Sequence, residues 1–202
     1  PMNDLSKLRR IALLGGLLLL LGTALLDRAE ATTGLLAAVS SGPATEQDSA
    51  LHRGVVAALE AKAPRLDRLL SARIAASIAR CGREQALAPD LVLAVLMQES
   101  SGRPGARSSK GAIGLMQVMP HMYEVLALPG SAMHVEANIE AGCRLLADNI
   151  RRLGEERGIS SYCWGNSIGN DYYLRRIQQL RRDLRPYLND ESANGSSAPV
   201  SG

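Results

Sequence analysis

Two stretches of this chain place an apolar or small residue every three or four positions, a spacing that commits both to helices. In the first, Leu66, Leu70, Ile74, Ile78 and Cys81 share one helix face; in the second, Val135, Ile139, Gly142, Leu146, Ile150 and Leu153 do so. A helix with one apolar stripe must bury it against a partner, so such segments imply a packed helical core. Aromatic residues make up 3% of the chain, with no Phe and a single Trp164, so the core must be built mainly from Leu, Ile, Val and Ala. That supply favours helices over sheets. A chain of 202 residues accommodates one packed domain with appendages, and the expected class is all-α.

The N-terminus carries a different signal. Lys7, Arg9 and Arg10 precede an apolar or small stretch from Ile11 to Leu26, which then meets Asp27 and Arg28. This is the pattern of an export signal, and Ala29-Glu30-Ala31 offers small residues at a cleavage site. The stretch falls short of the ~20 residues that span a bilayer as a helix, so a cleaved signal is the favoured reading. The alternative is an uncleaved anchor over residues 11–26 that tethers the chain to the inner membrane. Both place the protein outside the cytoplasm, in the periplasm. The expected layout is a signal or anchor over 1–31, a linker with an accessory helix over 32–63, that helix running over 47–63 and ending at Pro64, the main domain over 64–188 and a disordered polar tail over 189–202.

Within the main domain, Pro89 suits the first position of a helix, with Asp90 in its first turn, and Gly102 closes it. Residues 102–119 hold four glycines and lack helical period, which predicts a structured loop. A last helix is expected over 171–188, where Arg175, Arg176, Arg181, Arg182 and Arg185 read as a solvated face or a surface for acidic peptides or lipid headgroups. The formal charge is +3, with Lys and Arg spread along the chain rather than set beside aromatics, so no nucleic-acid partner is expected. His52, His121 and His134 form no ligand pair, and Cys81, Cys143 and Cys163 fit no zinc spacing, so neither a metal nor another cofactor is expected. Cys81 and Cys143 both fall on apolar helix faces, where they either pair as a disulfide or stay buried as free thiols.

One residue breaks the apolar pattern. Leu91 and Val95 lie on one stripe of the helix from Pro89, and four residues further on the stripe reaches Glu99. Burial disfavours the charged form of a carboxylate and raises its pKa, which is what an acid needs to donate a proton near neutral pH.

The residues around Glu99 carry a resemblance. Glu99-Ser100 is followed by Gly114-Leu115-Met116-Gln117, then by Ser161-Tyr162-Cys163-Trp164-Gly165, and finally by a helix containing Tyr173-Leu174-Arg175-Arg176-Ile177. In this order they resemble lytic transglycosylases of the goose-lysozyme-like superfamily, soluble lytic transglycosylase type. That family carries Glu-Ser at a helix end, Gly-Leu-Met-Gln, Ala-Tyr-Asn-x-Gly and a final Tyr helix. Glu136-Ala137-Asn138-Ile139-Glu140-Ala141-Gly142 is similar to its intervening helix, and the resemblance spans residues 72 to 180. Cys163 departs from the pattern, standing where the family has Asn.

The resemblance implies a lysozyme-like helical domain acting on the glycan strands of peptidoglycan. Glu99 would protonate the oxygen joining N-acetylmuramic acid to N-acetylglucosamine, then accept the proton of the muramyl 6-hydroxyl as that oxygen closes a 1,6-anhydro ring. Tyr162 would orient Glu99. Gln117 and Met116 would contribute to the glycan groove, although core packing is the favoured role for Met116, Ser108 would lie near the 6-hydroxyl, Tyr173 would close the groove, and Trp164 would either stack on a sugar or pack in the core. Asp148 and Asp171 stay open as a second carboxylate that would make the enzyme a hydrolase. A non-catalytic glycan-binding module, raised by Cys163, is the other reading. By analogy with the family, the partner beyond peptidoglycan is an envelope-spanning secretion, conjugation or pilus machine.

Overall fold

A computed structural model describes residues 46–128 and 130–189. The expected export signal, most of the linker and the tail beyond Asn189 lie outside the described residues. Among the described residues, seven helices form one compact unit: α1 (Glu46–Lys62), α2 (Arg68–Gln85), α3 (Pro89–Ser100), α4 (His121–Val125), α5 (Val135–Leu153), α6 (Glu155–Trp164) and α7 (Tyr172–Leu188). Among the described residues the only β-type pairing is two isolated bridges, so the all-α class holds. No helix among them is long and apolar enough to cross a membrane.

α3 is the centre of the unit. Leu91 through Leu96 are each exposed by 3% or less, so the helix is buried on every side, against α2 and α7. The stripe expected through Leu91 and Val95 is therefore part of a fully apolar middle. Pro89 occupies the first turn as expected, and the left-handed residue that ends the helix is Ser101 at φ 53°, one position before the expected Gly102. α2 starts at Asp67, whose Oδ1 accepts the Leu70 N–H at 2.9 Å and satisfies one of the free amides of the first turn.

The expected domain start at residue 64 leaves out a helix that belongs to the same core. Val55, Ala58 and Leu59 of α1 are exposed by 1% or less, and α1 packs on both α2 and α7. Gly54 permits the closest approach: a Cβ there would lie 2.4 Å from the Tyr187 carbonyl oxygen. The reason is the apolar face of Leu51, Val55, Ala58 and Leu59, which a lone helix cannot bury.

At the other end of the unit, α7 turns Tyr173, Ile177 and Leu184 inward. Its arginines are not all solvated: Arg181 and Arg185 both bind Asp90 of α3 at 3.1 Å, and Arg181 also reaches Glu155. Burial would raise the Asp90 carboxyl, but hydrogen bonds from these two arginines outweigh it and hold the carboxyl below its usual value. The pairing locks the start of α3 to α7.

Cys81 of α2 and Cys143 of α5 form a disulfide, with Cα atoms 6.2 Å apart. It closes a loop over a sequence separation of 62, for which chain entropy gives a stabilisation of about 4 kcal/mol. Replacing both cysteines with serine is expected to lower the unfolding free energy by about 2–4 kcal/mol in a urea titration. A loss under about 1 kcal/mol would mean that packing alone holds α2 to α5.

Candidate active site

Glu99 stands in the last turn of α3, where the buried middle of the helix gives way to a half-buried end. Burial raises its carboxyl above the usual value, and a hydrogen bond from Tyr173 partly opposes this. The Tyr173 hydroxyl donates to Glu99 Oε1 at 2.6 Å, across a sequence separation of 74. Burial, and then the Glu99 charge, push the Tyr173 phenol well above its usual range, so it stays protonated and can only orient the carboxyl. No hydrogen bond among the described residues engages Oε2, which is left as the oxygen able to exchange a proton.

The loop from 102 to 119 is ordered by its own backbone. Ile113 and Val118 exchange two hydrogen bonds at 3.1 and 3.0 Å, and the Gly114 N–H donates to Ala106 O at 2.9 Å. Ser108 Oγ accepts the Ala112 N–H at 3.0 Å, bracing the exposed tip. Gln117 adopts φ 48°, in the left-handed region, and its side-chain amide donates to Ala106 O and Gly114 O at 3.1 and 2.9 Å.

Asn138 of α5, fully buried, fastens this loop to the helical core. Its Oδ1 accepts the Met116 N–H at 2.8 Å, while the two Nδ2 hydrogens are shared among Ile113 O, Ala132 O and the Tyr123 hydroxyl at 2.9, 3.0 and 3.1 Å. The contact is so close that a Cβ on Gly114 would lie 2.5 Å from Asn138 Nδ2. Gly142, one turn along α5, makes room for Met116: a Cβ there would come within 2.5 Å of Met116 Cβ.

These contacts reassign several residues. Tyr162, expected on Glu99, instead donates its hydroxyl to Met116 O at 2.8 Å, so it ties α6 to the loop. Tyr173, expected to close the groove, is 4% exposed and holds the carboxyl, while its neighbour Tyr172 points to solvent. Met116, given to the groove by the resemblance but favoured for the core as a methionine, is fully buried, because the gap over Gly142 takes its side chain into the core. Gln117 and Ser108 remain on the loop, but each spends its side chain on loop backbone. Trp164 is 40% exposed at the end of α6, which leaves its ring open to a sugar face. The neighbouring Cys163 is an exposed thiol raised by partial burial and by Glu99, with Lys110 opposing, so it is protonated at neutral pH. Asp148 and Asp171, open as second carboxylates, sit in exposed ion pairs with Arg152 and Arg175 of their own helices.

Asn138 was not singled out from the sequence, although a signal existed. It lies beside Val135, Ile139 and Gly142 on the buried face of α5, and a buried amide needs partners from elsewhere in the chain. α6 was also missed, since Gly158 interrupts a short and weakly apolar segment. That glycine is required by packing: a Cβ would lie 2.5 Å from Ile150 Cα. Among the described residues no group of His, Cys, Asp and Glu could hold a metal ion.

Fold and site together define a helical domain that presents one raised, tyrosine-held carboxyl beside a glycine-rich loop. Residues 77–179 match the Transglycosylase SLT domain, and the chain belongs to that family. It is 38% identical over 85 residues to a protein named Transglycosylase from Enterobacteria phage PRD1, covering 42% of this chain and 32% of that protein. Among solved structures it is similar to an inactive mutant of the lytic transglycosylase Slt from Pseudomonas aeruginosa, with 20% identity and a TM-score of 0.42 over 56% of this chain and 22% of that one. It is also similar to the 70-kDa soluble lytic transglycosylase in complex with bulgecin A, with 22% identity and a TM-score of 0.44 over 73% of this chain and 29% of that one. The chain thus spans about a third or less of the length of each of these relatives.

Proposed function

We propose that this protein cleaves the β-1,4 bond between N-acetylmuramic acid and N-acetylglucosamine in peptidoglycan as a lytic transglycosylase, leaving a 1,6-anhydro end. The observation that carries the reading is the state of Glu99: a half-buried carboxyl, raised by burial, held at one oxygen by Tyr173 and open at the other. The protonated carboxyl donates to the glycosidic oxygen as the bond to C1 breaks. The same oxygen of Glu99, now bare, takes the proton of the 6-hydroxyl as that oxygen bonds to C1, which returns the acid to its starting form. Hydrolysis by the common route needs a second carboxylate near the bond, and the two candidates Asp148 and Asp171 are engaged with arginines at the surface.

Digestion of purified peptidoglycan, read by mass spectrometry, tests this. Anhydro-muramyl ends are expected; reducing ends would make the protein a hydrolase, and sedimentation with intact sacculi without soluble fragments would make it a binding module. The disulfide supports an oxidising compartment and, with the charged and apolar N-terminal pattern, an exported or membrane-tethered periplasmic protein. Service to an envelope-spanning secretion or pilus machine rests on the family resemblance, and its test is loss of that machine's assembly in a Glu99→Gln strain.

Tyr173→Phe separates positioning from acidity. Burial of Glu99 persists while the opposing hydrogen bond goes, so the carboxyl pKa rises further. Activity that needs the protonated acid is lost as pH rises through that pKa, so the alkaline limb of the pH-rate profile should move to higher pH. The maximal rate should fall roughly tenfold to a hundredfold through looser positioning. An unmoved alkaline limb would show that Tyr173 does not tune Glu99.

A further inference from the structure

A cleft opens immediately beyond the helix end that carries Glu99. It has a volume of about 250 Å³ and lies between the α1–α2 turn and the start of the loop after α3. Its floor is small and apolar, from Ala63, Pro64 and Gly102. Gly102, at φ 76°, brings the two segments together so closely that a Cβ would lie 2.8 Å from Ala63 Cβ. Its rim carries Lys62, Arg65 and Arg103, all exposed, and no carboxylate lines it.

The three cations are unneutralised. None forms an ion pair with a carboxylate among the described residues. Lys62 lies over the Tyr187 ring at 5.9 Å, and Arg103 uses its Nε on Ser100 O at 3.0 Å. Both contacts fix the base of a side chain's charged group while leaving donors for a ligand. Several surface arginines elsewhere, among them Arg73, Arg83, Arg144 and Arg152, face a carboxylate; what sets the cleft apart is that its three cations converge on one small apolar hollow. A cleft with a floor for methyl-sized groups and a rim of free cations is complementary to a short peptide of small residues with free carboxylates.

We propose that this cleft binds the acidic peptide substituent of the glycan, its carboxylates on Arg65, Arg103 and Lys62 and an alanyl methyl on the Ala63–Gly102 floor. The inference rests on the reading of the protein as a peptidoglycan-cleaving enzyme and adds that it recognises peptide as well as sugar. The cleft wall begins at Ser101, two residues after Glu99, so the two backbone positions lie within about 7 Å of each other. The volume, just below the roughly 300–1,000 Å³ of small-molecule sites, suits the end of a peptide rather than a run of sugars.

The test is a titration of the isotope-labelled full chain with synthetic alanyl-isoglutamyl-lysyl-alanine and with the same peptide amidated at both carboxyls, followed by amide chemical shifts. The acidic peptide is expected to shift Ala63, Gly102 and Arg103. Affinity should fall roughly tenfold or more for the diamide, and similarly in Arg65→Glu and Arg103→Glu, as loss of a charge-assisted hydrogen bond predicts. Equal affinity for the two peptides, shifts confined to another surface, or no shifts at millimolar peptide would overturn the proposal. The diamide comparison needs no variant to fold. Glu99→Gln is expected to bind the peptide as the parent does, so failure to cleave glycan and failure to bind peptide are read independently.

Discussion

Glu99→Gln is expected to lower release of anhydro-muropeptides from sacculi by about a thousandfold or more, because one carboxyl performs both proton transfers and an amide can perform neither. The amide oxygen can still accept from Tyr173, so the geometry at Oε1 should survive. The variant should also show what the raised carboxyl costs the fold. Since burial lifts Glu99 above its usual value, the folded state holds its proton to higher pH than the unfolded chain does. Folding stability therefore falls as pH rises from the ordinary carboxylate value through the raised one, and the deficit persists above it. Gln carries no such deficit. Melting temperatures of parent and variant should coincide at acid pH and diverge in favour of the variant toward neutral pH. Retained activity in Glu99→Gln would remove Glu99 from the mechanism, and a parent that stays as stable as the variant at neutral pH would show that its burial costs nothing.

The second large effect is on the fold and belongs to Asn138. Asn138→Leu keeps the volume and removes the amide's hydrogen bonds, stranding the Met116 N–H and the Ala132 carbonyl in the interior, while the Ile113 carbonyl keeps the Val118 N–H. A buried polar group without a partner costs about 1–3 kcal/mol, and these groups share one network, so a combined loss of about 3–5 kcal/mol is expected in urea unfolding. The loop beside Glu99 should loosen first, seen as faster amide exchange at Ile113 to Gln117 ahead of α3. A loss below about 1 kcal/mol, with exchange in the loop unchanged, would show that Tyr162 and the Ile113–Val118 pairing suffice.

Glu99 and Asn138 were unequally legible in the sequence. Glu99 stands out because it ends an otherwise apolar helix and is followed by residues in a recognisable order. Asn138 lies on an apolar helix face as well, but an amide there has no periodic meaning until its partners are known. They come from three segments: the loop at Ile113 and Met116, the turn at Ala132 and the Tyr123 hydroxyl.

The exchange of roles between the two tyrosines has the same origin. Order along the chain placed Tyr162 in the motif expected to orient the acid, and Tyr173 in a helix of uncertain register beside Tyr172. Which hydroxyl reaches Glu99 depends on how α7 packs across α3, a relation fixed in part by Arg181 and Arg185 on Asp90. Core packing is the favoured role for Met116, but the space that receives it is a tertiary feature, left open by Gly142 of α5 lying opposite.

What the sequence by itself determined is the helical class, the positions of α1, α2, α3, α5 and α7, the irregular loop and the acid at the end of α3, because these follow from local spacing and from glycine and proline chemistry. What only the tertiary structure decided is which side chain serves which partner: Tyr173 on the carboxyl, Tyr162 and Asn138 on the loop, and three free cations around one cleft. Hydrogen bonds and close packing act over a few ångströms, and residues 74 positions apart come within that range only once the helices have packed.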